Sequence, residues 1–156
     1  MESLIFSGLL ALGLPLFLLL LFKSSAGMMF FAACAGLVLL SSLDPAVVST
    51  AGAMVPGDGE AYVRLSVVVT AMIFAAMMFR NTIHGLTGLT LHSFVVLLLA
   101  LMLLVTLPST TGVPWLMDAA RESAWKVIND FRALIVAGGF SLSMVVVLTN
   151  KGRSKH

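Results

Sequence analysis

Five apolar stretches follow one another along the chain, each closed by a charge, a proline or a polar pair. They cover residues 4–22, closed by Lys23; 26–43, closed by Asp44 and Pro45; 61–79, closed by Arg80; 89–107, closed by Pro108; and 133–149, closed by Asn150 and Lys151. A helix needs about 20 mainly apolar residues to cross a hydrocarbon core of about 30 Å. Each stretch is therefore read as one short transmembrane span with little room for tilt. The third span begins with Tyr62 and Arg64 inside its first turn. Both suit the headgroup level, Tyr62 as an interfacial ring and Arg64 with its stem in oil and its guanidinium in water.

Composition strengthens this reading. Of 156 residues, 60% are hydrophobic and 10% are charged, and mean hydropathy is +1.09. A soluble domain carries about 25% charged residues. So few charges leave a water-soluble fold unable to cover its core, which argues against a cytosolic enzyme, a disordered linker or a nucleic-acid-binding module. The expected fold is all-α: one integral membrane domain over residues 1–156, a polytopic bundle of five spans. The first segment opens Met1-Glu2-Ser3, without the basic residues of a signal peptide, so it is expected to be retained.

Charge sets the expected threading. With five spans, one membrane face receives Arg64, Arg121, Lys126 and Arg132 together with all seven acids: Glu2, Asp44, Asp58, Glu60, Asp118, Glu122 and Asp130. The other face receives Lys23, Arg80, Lys151, Arg153 and Lys155 and no acid. Short cytoplasmic loops are enriched in Lys and Arg. The N-terminus is therefore expected outside and the C-terminus in the cytoplasm, in a bacterial plasma membrane. A four-span chain would split the acids between faces.

The outer segments carry further signals. Asp44 followed by Pro45 is a helix start, a side-chain cap before a residue that lacks the orphaned N–H. Pro56-Gly57-Asp58-Gly59 is a turn; its acids are too few to hold calcium. Pro108 to Gly112 reads as a break. Residues 114–131 then carry apolar positions at helical spacing (Leu116, Ala120, Ala124, Val127, Ile128, Phe131), with Glu122 four residues before Lys126. The expectation is an amphipathic interfacial helix between spans four and five, anchored by Trp115 and Trp125 and running on into the fifth span.

Inside the spans the polar residues are hydroxyls, with no acid, base or histidine read as deep; ionisable residues there would mark a transport pathway. His84 and His92 read as part of an inner polar loop, Cys34 as inert, the methionines as packing filler, and Pro15 as a kink in the first span. No catalytic, cofactor-binding or metal-binding motif is visible. Small residues mark where helices approach closely: Ala32 and Gly36 on the second span, Ala71 and Ala75 on the third, Ala137, Gly139 and Ser143 on the fifth. The fourth span, almost pure Leu, Val, Met and Phe over 94–105, reads as facing lipid or a bulky partner.

In helix count and length the chain resembles several families of small bacterial membrane proteins, the colicin V production family among them, with no shared residue motif to carry a role across. The function expected is a non-enzymatic accessory or scaffold subunit of a larger membrane complex, packing through the small-residue faces. The alternative is an oligomeric channel or small-solute transporter subunit. The expected partners are the bilayer and other membrane subunits or a second copy, not nucleic acid; no cofactor is expected.

Overall fold

The computed structural model describes the backbone of residues 2–79, 86–120 and 123–153. The fold is all-helical, with no strand among the described residues. In chain order the helices are α1 (Glu2–Phe22), α2 (Ala26–Ser42), α3 (Pro45–Gly52), α4 (Gly59–Met78), α5 (Leu86–Thr111), α6 (Pro114–Ala120), α7 (Ser123–Asp130) and α8 (Arg132–Arg153). Among the described residues α4, α5 and α8 are each long and apolar enough to cross a membrane. Counting the bent pair of α2 and α3 as one span makes four.

The α2–α3 boundary follows the sequence closely. Asp44 accepts a hydrogen bond from the Ala46 backbone N–H at 2.9 Å, with Pro45 at the first helical position. The capped helix leaves α2 at 99°. Gly57 then adopts φ +82° in the turn before α4. Gly52 and Gly59 let this segment close on itself. A Cβ on Gly59 would fall on the Gly52 carbonyl oxygen, and one on Gly52 would lie 2.7 Å from the Glu60 backbone nitrogen.

The core contradicts the lipid-facing reading of the fourth span. α5 is the central helix, packed on α1, α2, α4 and α8. Of its apolar window 56% is buried, against 28% for α4 and 22% for α8. Val95, Leu99, Met102 and Leu103 are enclosed. The physical reason is that a helix apolar all round has no face that prefers the outside, so the interior accepts it without cost.

Three further expectations are corrected. First, α5 runs through Pro108 to Thr111 instead of closing there. Proline removes only one ladder bond so near the helix end. The Thr110 and Thr111 hydroxyls donate back to the Thr106 and Leu107 carbonyls, each at 2.7 Å. Second, the helical stretch expected to run on into the fifth span is interrupted at Phe131, between α7 and α8, while residues 121 and 122 of that stretch lie outside those described. No glycine or proline marks that junction. Third, His92 lies inside α5 and is 1% exposed, not in a polar loop. Pro15 is buried within α1, which stays helical through it. The expected Glu122–Lys126 pair, Arg80 and His84 involve residues outside those described.

Candidate functional site

The small residues named from sequence divide into those used inside the chain and those facing out. On α2, Gly36 lies against α4: a Cβ there would meet the Val68 Cα at 3.1 Å and the Ala71 Cβ at 3.3 Å. Ala75 is buried on α4, and Ala32 is half-buried. Gly139 of α8 receives the edge of the Phe30 ring, and Ser143 lies against Gly27, where a Cβ would come 2.8 Å from the Ser143 carbonyl oxygen. Phe31 and Phe140 seal the same α2–α8 crossing with ring centroids 5.2 Å apart, edge to face. Ala137 does not join them. It is exposed, with Ala133 and Ser141 one turn to either side, along a shallow groove that also takes in Arg132, Val136 and Phe140.

A second feature is a buried polar layer near the start of α2. Cys34 donates its thiol hydrogen to the Met102 sulfur at 3.6 Å, joining α2 and α5. Ser24 and Ser25 stand immediately before α2, and His92 lies in the second turn of α5. Ser24, Ser25 and Ser143 are, like His92, at most 2% exposed. The Ser24 hydroxyl points at the Met29 sulfur, while the Ser25 and Ser143 hydroxyls meet no partner among the described residues.

The third feature surrounds Arg64. Its guanidinium Nη2 donates to Glu60 Oε1 at 2.5 Å, one turn earlier on α4. The side chain is one-third exposed and separates two clefts at the acidic end of the bundle. On one side lies an open polar cleft of about 550 Å³, formed where the α3–α4 turn meets the end of α5; it carries Asp58, Glu60, Ser49 and Thr111. The Asp58 side chain caps none of the backbone N–H groups of α4. On the other side a narrower cleft of about 310 Å³ runs between α2, α3 and α5, walled by Leu37, Leu40, Leu43 and Val48, with Ser41 and Thr110 at its polar positions.

All four of these hydroxyls are turned the same way. Ser41 donates to the Val38 carbonyl (2.7 Å), Ser49 to Ala46 (3.1 Å), Thr110 to Thr106 (2.7 Å) and Thr111 to Leu107 (2.7 Å). Each has spent its single hydrogen on its own helix and has lone pairs left as acceptors. Two carboxylates and four acceptor hydroxyls thus lie around the Arg64 guanidinium, with the first-turn N–H groups of α4, which Asp58 does not cap, as the other donors at the polar cleft.

The interfacial anchors fare unevenly. Tyr62 is exposed on the first turn of α4. Trp125 is 9% exposed and belongs to the core cluster, so it is not an outward-facing membrane anchor. Its ring is large enough to close the bundle under α7, and spacing alone did not distinguish that from a belt position. The Trp115 side chain lies outside those described. No group of three or more His, Cys, Asp or Glu positioned for a metal occurs among the described residues. Comparison with protein-family models, with curated proteins and with solved structures finds no match to this chain.

Proposed function

We propose that this protein is a non-enzymatic accessory or scaffold subunit of a larger membrane assembly. In this reading α1, α2, α4, α5 and α8 cross a bacterial plasma membrane, with the acidic end outside and the C-terminus in the cytoplasm. α1 has 21 residues, which at 1.5 Å per residue is about 31 Å, long enough to be the fifth crossing.

The observation that carries the proposal is the uncovered face of α8. The other small residues at close approaches, Gly27, Gly36 and Gly139, are filled by neighbouring helices of the same chain. Ala133, Ala137 and Ser141 repeat every four residues on α8, whose apolar window is less covered than those of α4 and α5. In lipid, where apolar surface alone drives no association, small residues let another helix backbone come close enough for dispersion contacts.

Gentle extraction into lipid nanodiscs, followed by sizing and native mass spectrometry, tests this. The expected result is a particle containing other membrane chains, lost on Ala137→Phe while the melting temperature of the purified chain is unchanged. A monomer without co-purifying chains, indifferent to that substitution, refutes it.

A further inference from the structure

We propose that the paired clefts around Arg64 form a binding site for a zwitterionic phospholipid whose headgroup carries a primary ammonium, as in phosphatidylethanolamine. The inference does not depend on the α8 face; it requires only that the bundle lie in a bilayer.

The geometry has the polarity of a lipid. Arg64 is five residues into α4, about 7.5 Å from its start. The open cleft beyond it, towards the helix ends, is polar. The narrower cleft on its other side reaches back along α2 to Leu37, five residues before the end of that helix, and is more apolar: Leu37, Leu40, Leu43 and Val48 wall it, with Ser41 and Thr110 among them. A molecule with a charged head and an apolar chain fits this pair of compartments with its phosphate at the boundary, where the guanidinium stands. Guanidinium groups bind phosphate through two parallel N–H donors. The Glu60 pair does not prevent this. An exposed pair one turn apart contributes little to stability, so the carboxylate is free to turn to the ammonium.

Hydrogen-bond direction selects the headgroup. Asp58 and Glu60 outnumber Arg64, leaving a net charge of −1 in the polar cleft before a ligand enters. Its hydroxyls Ser49 and Thr111 have already given their hydrogens to backbone carbonyls. The two carboxylates therefore favour a cationic group with N–H donors, while the first-turn N–H groups of α4, which Asp58 does not cap, stand with Arg64 on the phosphate side. A primary ammonium supplies three such donors; a choline headgroup supplies charge without N–H, and a glycerol headgroup supplies no cation. An anionic lipid would satisfy Arg64 but bring further negative charge beside two carboxylates.

The test is native mass spectrometry of the full chain released from nanodiscs holding equal mole fractions of phosphatidylethanolamine, phosphatidylglycerol and phosphatidylcholine. The expected result is retention of one phosphatidylethanolamine per chain in preference to the other two. Arg64→Gln should weaken that retention about tenfold or more, the loss of one charge-assisted contact. Ser41→Trp, at an exposed position on the apolar cleft, should fill the chain compartment and abolish retention without removing a charge, which keeps the test decisive if Arg64→Gln fails to fold. Equal retention of the three lipids, preference for phosphatidylglycerol or phosphatidylcholine, or wild-type retention in folded Ser41→Trp overturns the proposal.

Discussion

Two adjacent glycines on α8 provide a controlled measure of how tightly α2 and α8 are packed. A Cβ built on Gly138 meets nothing within 4 Å, whereas one built on Gly139 falls on Cε2 and Cζ of Phe30. Phe30 is fully buried and is braced edge-to-face by Phe31, with centroids 6.5 Å apart. Its ring has no open space to enter. Alanine in place of glycine in a helix interior is worth up to about 1 kcal/mol, so Gly138→Ala should be neutral or stabilising by that amount. At Gly139 the same gain is set against overpacking, typically about 1–3 kcal/mol. The two substitutions should differ by the overpacking term, Gly139→Ala being the less stable by about 1–3 kcal/mol. Phe30→Leu removes the two ring atoms that collide. In that background Gly139→Ala should become neutral or stabilising, giving a favourable coupling of similar size. The assay is equilibrium unfolding in bicelles titrated with SDS and followed by helical circular dichroism. Equal stability of Gly138→Ala and Gly139→Ala, or no coupling to Phe30→Leu, would refute the α2–α8 register described above.

Other outcomes follow from single positions and are read with the same unfolding assay unless stated. Lys23 holds φ +47° directly after α1, a conformation that costs a non-glycine residue about 1 kcal/mol; Lys23→Gly should stabilise by that amount and Lys23→Val should not. Asp44→Ala should cost about 1 kcal/mol through the lost α3 cap, and Asp44→Asn should restore it. Amide hydrogen exchange in α3 should follow the same order. The buried Ser143 hydroxyl meets no partner among the described residues, so Ser143→Ala should raise stability by about 1–2 kcal/mol; a loss of similar size would mean the hydroxyl is bonded in the membrane.

The elements legible in sequence were those with a local chemical signature. Asp44-Pro45 marked the start of α3, Gly57 the turn before α4, and the apolar runs the long helices. Relations between helices were less legible, because lipid removes the contrast on which burial patterns depend. A residue facing hydrocarbon chains and one facing a protein core are both apolar, so Leu99 at the centre and Phe94 at 62% exposure carry the same signal. Small residues do lie at helix contacts: a Cβ on Gly36 or Gly139 would meet the facing helix, and Ser143 lies against Gly27. Ala137 shares their spacing but faces out, and nothing local separates it from them. The turn at Phe131 between α7 and α8 carries neither glycine nor proline, so no local signal marks it. The Arg64 clefts were half visible. Arg64 was legible as an interfacial residue, but its partner Glu60 was not singled out, and Ser41 and Thr110 join it only through the packing of α2 and α5 beside α4.

Threading through the membrane underlies the proposed function, and single-cysteine labelling measures it directly. In a Cys34→Ser background, Met54→Cys and Val127→Cys each place a thiol at an exposed position near the acidic end, and Lys23→Cys places one at the opposite end. An impermeant maleimide added to intact cells should modify residues 54 and 127, and should reach residue 23 only after permeabilisation. Labelling of residue 23 alone would mean the reverse orientation, and equal labelling of all three would mean that the bundle does not cross the membrane between its two ends.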